Sequence, residues 1–442
     1  MKTVRIGAGA GFGGDRIDPA VALARDGALD YLVFECLAER TIALAQLARV
    51  ADPSEGYDKL LERRIRAVLP DCLRNGTRIV TNMGAANPWA AAQKVAETAA
   101  DMGLTGVKVA AVLGDDVLGH VAPYPLDDTG MPAEALGTRL VSANAYIGSA
   151  GIVDALQAGA QVVICGRAAD PALFLGPLAH EFGWASDDWE RLGRGTLVGH
   201  LLECAAQITG GYFADPGLKD VPDLANVGYP LAEVGEDGNA VITKLPGTGG
   251  QVTLATCTEQ LLYEIHDPAR YLQPDVVADF SNVDFTEIGP DRVAVSGGAG
   301  HPRPETLKVS VGSRDGWIGQ GEISYAGPGA VARGRLAADI LKERLLPFQN
   351  AIAAYRSDLI GVDSILPGDS DAPPPREVRL RCAARCDSRE VAETVADEVE
   401  TLYLCGPAGG GGVTRSLREV IGIRSTFMPR SEVEVSVRIV ES

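Results

Sequence analysis

No two cysteines of this chain stand in a C-x-x-C pair; the eight are scattered singly, with only Cys382 and Cys386 close together. Neither a zinc site nor a disulfide framework is suggested, so reduced thiols are expected. Long apolar runs are missing too. No segment has the unbroken length of a membrane span, and "MKTVRIGAGAG" has no apolar stretch of signal-peptide length before its glycines. A soluble, cytoplasmic protein is expected. Positive charge is in deficit, with 40 lysines and arginines against 59 aspartates and glutamates and a net charge of −19. That field repels nucleic acid and anionic membranes, so neither is an expected partner, and an anionic ligand requires a local positive site.

What is present is enough for more than one core. At 442 residues and 46% hydrophobic, the chain is longer than a single core usually grows, and two domains are expected. From residue 2 to about 215, short apolar runs alternate with longer amphipathic ones. The strands read as "TVRIGA", "DYLVFEC", "TRIVTNM", "VKVAAVLG", "RLVSANAY" and "QVVICG". Gly27, Gly76, Gly103 and Gly159 stand where helices should end, and Asp18-Pro19, Asn87-Pro88, Ser149 and Asp170-Pro171 where they should begin. The expected fold is α/β: a mainly parallel sheet with helices on both faces over 1–215, then an α+β domain over 225–442.

In such a sheet the loops leaving the carboxyl ends of parallel strands share one edge, where the following helices also point their N-termini. Those loops carry Asp15 and Arg16, Glu35 and Cys36, Asn82 and Asn87, Asn144 and Tyr146, and Arg167 and Asp170. Brought together, the arginines and amides suit a carboxylate or phosphate, while Asp15, Glu35 and Asp170 are candidates for proton transfer. Plainer readings stand beside these. Asp170, Asp18 and Asn87 read equally as helix caps, Arg167 as half of a surface ion pair, and Asn144 and Tyr146 as turn and core residues. Glu35 is harder to set aside, since a carboxylate at the end of an apolar strand is costly unless paired. Gly9, Gly11 and Gly14 in "GAGFGG" fit a dinucleotide-binding G-x-G-x-x-G with Glu35 beyond it. The helix start at Asp18-Pro19 is several residues too late for that motif, and Asp15 opposes a pyrophosphate.

Residues 185–215 read as a long helix ending at Gly210-Gly211, with His200 and Glu203 one turn apart as a partly buried pair rather than a metal site. Beyond 225 come turn-rich strands. Hairpins are expected around Asp237-Gly238 and Asp315-Gly316, a helix through Leu404, and after the glycines a second helix, "VTRSLREVIG". Two glycine loops lack the Walker A ending but remain candidate ligand nests: Lys244 with Gly247, Thr248, Gly249 and Gly250, and Gly409 with Gly410. The proline-rich stretch 366–376 reads as a linker.

Taken together, "GAGFGGDR", "TNMGAANPWA", "SANAYIGSAGIVDALQAGAQVVICGRAADPALFLGPL", "ITKLPGTGGQVTLATCTEQLLYEIHDPARYLQPDV" and "CGPAGGGG" resemble the acyclic terpene utilization AtuA-like family over nearly the whole chain. The sequence departs from the family pattern at "VFECLAE", where an aspartate-tyrosine pair is expected in place of Glu35-Cys36. The resemblance implies a catabolic context passing through acyl-CoA intermediates. It also implies a ferredoxin-fold domain, appended in longer members or supplied here as a separate small subunit. The expected function is acid-base chemistry on a small carboxylate or acyl-CoA, such as hydration or dehydration, without a cofactor or metal, in a homo-oligomer. A nicotinamide-dependent oxidoreductase and a noncatalytic scaffold subunit are the alternatives.

Overall fold

Short runs of valine, isoleucine and leucine become strands covered on both faces, where no polar alternation is needed. The computed structural model describes residues 2–366 and 373–442. It begins with β1 (Thr3–Ala10), β2 (Tyr31–Phe34), β3 (Arg78–Thr81), β4 (Lys108–Leu113), β5 (Leu140–Ala145) and β6 (Val162–Cys165). Every residue of β2 and β6 is buried. β1, β2, β3, β6 and β4 lie side by side in that order, all parallel, with Ile6 opposite Tyr31 and Val80 opposite Val163. β5 is a correction: it forms as a strand but pairs outside this sheet, with the later strand Thr306–Ala326.

The helices between them are α1 (Asp18–Asp26), α2 (Glu39–Ala51), α3 (Leu61–Asn75), α4 (Pro88–Asp101), α5 (Ala150–Gln157), α6 (Ala172–Phe182) and α7 (Trp189–Leu202), followed later by α8 (Leu254–Leu262). Gly76, Gly103 and Gly159 take the left-handed conformation expected of helix stops, whereas Gly27 stays helical at φ −73°. Of the four expected caps only Asn87 acts as one, accepting from the Ala90 N–H at 3.4 Å. Asp18 binds Arg16, Ser149 donates to Asp275, and Asp170 binds Arg167. In each case a charged partner lay within reach, and a charge-assisted bond is stronger than a cap. The expected long helix ends early at Leu202, giving way to a tight turn at Ala205–Thr209 before Gly210.

Antiparallel strands widen the sheet. β7 (Pro230–Gly235) and β8 (Ala240–Lys244) form the expected hairpin, and β7 lies along β1 with Val4 opposite Val234. β9 (Tyr271–Leu272) and β10 (Val277–Asp279) open a small separate sheet, β11 (Asp284–Gly289) and β12 (Arg292–Ser296) extend the main one past β8, and β13 (Ala299–His301) completes the small one. Because the hairpin joins the N-terminal sheet, the chain does not part at 215–225. One unit is Met1–Gly312 with Ile423–Ser442; the other is Ser313–Gly422.

The second unit holds β14 (Thr306–Ala326) from Ser313 onward, α9 (Ala330–Arg344), β15 (Ile352–Ile360), β16 (Glu377–Cys386), α10 (Arg389–Cys405) and β17 (Gly411–Pro429) as far as Gly422, with strand order β15-β16-β14-β17. This is the β-α-β-β-α-β connectivity of a ferredoxin-like motif. Two expectations are corrected here. Asp315-Gly316 is no hairpin: β14 passes straight through, Gly316 at φ +95°, because a side chain there would lie 2.4 Å from the Cys386 carbonyl. "LYLC" closes α10, and "VTRSLREVIG" is strand despite half-buried or buried Val413, Leu417, Val420 and Ile421 at helical spacing, because the segment is paired into the sheet beside β14. The expected linker at 366–376 falls mostly on 367–372, outside the described residues. β18 (Ser436–Glu441) returns to the first unit and closes the main sheet against β4. Among the described residues no helix is long and apolar enough to cross a membrane.

Candidate functional site

The chain leaving β1, β2, β5 and β6 opens on a single cavity of about 560 Å³. The carboxyl edge of the parallel strands therefore does converge, as ligand sites in open α/β sheets do. Of the residues expected there, Glu35, Tyr146, Arg167 and Asp170 form its wall. Arg167 is its anchor. Only 1% of the side chain is exposed, and it donates to the Leu37 carbonyl (2.6 Å), twice to the Ala168 carbonyl (3.2 and 2.9 Å) and to Asp170. Four of the five guanidinium N–H groups are thus held by protein, which leaves little for a bidentate grip on a ligand. A buried cation requires a counter-charge, and that requirement, rather than helix capping, fixes Asp170.

Glu35 lies against this cation, yet its carboxyl is held up rather than down. Burial and the nearby charge of Asp170 push its carboxyl well up from the usual range, against the opposing pull of Arg167. One oxygen accepts from the Leu37 N–H and from the Asn82 side-chain amide, each at 2.9 Å. Four residues on, Glu39 behaves oppositely. Its burial is outweighed by bonds from Lys308 (3.0 Å) and the Tyr146 hydroxyl (2.8 Å), which hold it below the ordinary value. Tyr146 lies between two cations, with Arg167 4.5 Å and Lys308 5.1 Å from its ring centre.

Other expected residues stand behind the wall. Asn82 ties β3 to the loop after β2, accepting from the Cys36 N–H at 2.7 Å. Asn144 and the Arg167 backbone N–H both donate to one oxygen of Asp115, each at 2.9 Å, so these groups position Arg167 from beneath. Asn87 caps α4 and holds the carbonyls of Pro53 and Glu55. Asp15 accepts from the Gly11 N–H at 2.7 Å and is not part of the cavity wall; Arg16 binds Asp18 and the Ala225 carbonyl away from it.

The glycine loops are used for packing. Gly249 and Gly250 donate their N–H groups to the Asn226 and Pro222 carbonyls, Thr248 donates to Leu245, and Lys244 reaches Thr248 and Asp291. A side chain at Gly249 would lie 1.9 Å from the Asp223 carbonyl; Gly247, at φ +77°, turns the chain. Gly409 and Gly410 belong to the Ser313–Gly422 unit, where Gly410 faces Ile323 and Tyr325. The "GAGFGG" glycines are likewise explained without a nucleotide. Gly9 makes room for Phe34, Gly11 for the Cys204 backbone and Gly14 for Phe12, and the Gly11 N–H is already taken by Asp15.

Other lining residues carry no comparable mark in the sequence: Glu203, Cys204, Glu264, Tyr271 and Lys308. His200 and Glu203 do form the expected pair, 2.9 Å apart, but Glu203 is also a cavity residue, which the H-x-x-E spacing alone does not reveal. Glu264 sits at φ +58°, a conformation that costs a non-glycine residue and gathers at functional sites. Nothing in the sequence around Lys308 sets it apart from any other lysine on a strand. Among the described residues, no group of three or more histidine, cysteine or acidic side chains is placed to hold a metal ion.

A family model described as "Acyclic terpene utilisation family protein AtuA" matches residues 4–439. No curated protein matches the chain, and no solved structure does.

Proposed function

The chain belongs to the acyclic terpene utilisation family AtuA, and from that premise we propose that its cavity moves protons on a small organic acid or its acyl-CoA thioester, adding or removing water beside the carbonyl. The observation that carries this reading is the contrast between Glu35 and Glu39, whose surroundings push their carboxyls in opposite directions within one cavity. Carboxyl groups driven apart in this way take different roles in one site. Glu35, walled in and with its carboxyl pushed toward the protonated form, is placed to give a proton to a carbon or a leaving hydroxyl. Glu39, ionised, fixes Lys308 and Tyr146. Lys308 spends one bond on Glu39 and has donors left for a carboxylate or thioester oxygen, where the charge of an enolate would gather.

Surrogate substrates suffice for the test. Crotonyl-CoA, its β-methyl homologue and the corresponding free acids are incubated with the protein in deuterated water. Loss of enoyl absorbance and deuterium at the α-carbon are then followed. Protein-dependent exchange with at least one probe is expected; none with any of them, thioester or acid, removes the reading.

A further inference from the structure

His200 is buried, and its ring meets an acceptor at each nitrogen: Nδ1 lies 2.9 Å from Glu203 Oε1 and Nε2 3.1 Å from the Leu261 carbonyl. A neutral imidazole has one N–H to give, so two acceptors select the doubly protonated ring. The ring is held there by packing, lying against Tyr271 and Phe280 with centroids 5.5 and 5.8 Å away, while Gln260 holds the His200 carbonyl at 2.9 Å. His200 is not among the residues lining the cavity. Glu203 is, and 12% of its side chain is exposed. Its second oxygen, Oε2, is buried with no hydrogen-bond partner among the described residues. A buried carboxylate with one oxygen tied to a cation and the other unpartnered is incomplete until something else enters.

We propose that Glu203 is the second proton-transfer group of the cavity, the base complementary to Glu35, and that buried His200 positions it and supplies its counter-charge. This rests on the acid-base reading of the cavity. In the forward step Glu203 takes a proton from the α-carbon. The C–H bond breaks, an O–H bond forms on Glu203, and the electron pair moves to the carbonyl oxygen as an enolate, beside the donors described above. Returning the proton reverses each change, and His200 keeps both ring protons throughout. The titratable groups facing Glu203 are His200 on α7, Asp170 after β6, Cys204 beside it, Glu264 after α8 and Tyr271 on β9. Burial together with the Asp170 and Glu264 charges raises Glu203 to about 7 against the pull of His200, so both its states are within reach near neutrality.

Two measurements test this. Nitrogen NMR of the ring, in a chain with only five histidines, should show His200 doubly protonated at neutral pH. Its titration midpoint should fall by about one unit or more in Glu203→Gln, where the counter-charge is gone. A neutral ring in the wild type, or one indifferent to Glu203→Gln, overturns the pairing. Deuterium incorporation at the α-carbon of the hydrated product formed from crotonyl-CoA should then drop by about 10²- to 10⁴-fold in Glu203→Gln. In His200→Asn the pH limb set by Glu203 should move to higher pH, because loss of a neighbouring cation makes the carboxylate harder to ionise. Exchange that survives unchanged in Glu203→Gln overturns the role of Glu203 alone. Absence of exchange in the wild type with every probe overturns the reading of the cavity, and the base role with it, while leaving the ring signature of the pair intact.

Discussion

Burial of Glu35 outweighs the cation beside it and favours the protonated form of its carboxyl, which has a near isostere in glutamine. Glu35→Gln keeps an oxygen to accept from the Leu37 N–H and Asn82, so stability should change by no more than about 1 kcal/mol. The transferable proton, however, is lost, and α-carbon exchange or hydration should fall by about 10²- to 10⁴-fold. Denaturant titration alongside the exchange assay separates the two effects; a folded Glu35→Gln variant with full turnover ends the acid role of Glu35. At this scale the sequence was informative wherever a polar residue interrupted an apolar run. Glu35, Arg167 and Asp170 all follow buried strands of the parallel sheet, and all reach the cavity. Asp15 and Arg16 carry the same chemistry but sit far enough along their loop to find partners there, in the Gly11 N–H and in Asp18. Glu39 and Lys308 left no mark because their significance lies in meeting each other across 269 positions of chain.

The walls of the cavity belong to elements that approach closely at one point. Gly11, at the end of β1, has no room for a side chain: a Cβ there would lie 2.5 Å from the carbonyl carbon of Cys204, the neighbour of Glu203. Gly11→Ala should therefore force the two walls apart. A loss of about 1–3 kcal/mol is expected from overpacking. The geometry between Glu35 and Glu203 should suffer as well, lowering exchange more than Glu35 or Glu203 titration would explain. A variant with unchanged stability and exchange would show that the contact is not tight. Legibility of the elements followed the same logic of locality. The strands of the parallel sheet were readable because burial on both faces leaves an unmistakable apolar run. The partner of β5 was not, since pairing with β14 is settled by residues about 160 positions downstream, Tyr146 meeting the Lys308 carbonyl. Asp315-Gly316 misled because the dipeptide that favours a hairpin also fits a strand position where another backbone comes too near for any side chain.

Across the whole molecule, acidic residues exceed basic ones and several are buried, which makes stability depend on pH in an uncommon direction. Burial raises Asp115 to about 6, and Asp275 and Asp170 also lie above their ordinary values. A carboxyl raised on folding binds more protons in the native than in the unfolded state between its two pKa values, so stability falls as pH rises through that window. For Asp115 the window runs from about 4 to about 6, and the linkage is worth about 1 kcal/mol between pH about 5 and pH about 8. Ion-paired groups held low, among them Glu39, Glu181 and Glu233, lose their contribution only on further acidification. The protein should therefore be most stable near pH about 4 to 5, where those pairs are still largely ionised and Asp115 still largely protonated. Urea titrations at the two pH values measure the difference directly. Asp115→Asn retains an oxygen for the Arg167 N–H and Asn144 but cannot titrate, so it should shrink the difference by about 1 kcal/mol. If the wild type is instead more stable at the higher pH, or if Asp115→Asn leaves the dependence untouched, then Asp115 is not the buried acid that supports Arg167, and the base of the cavity is held by other means.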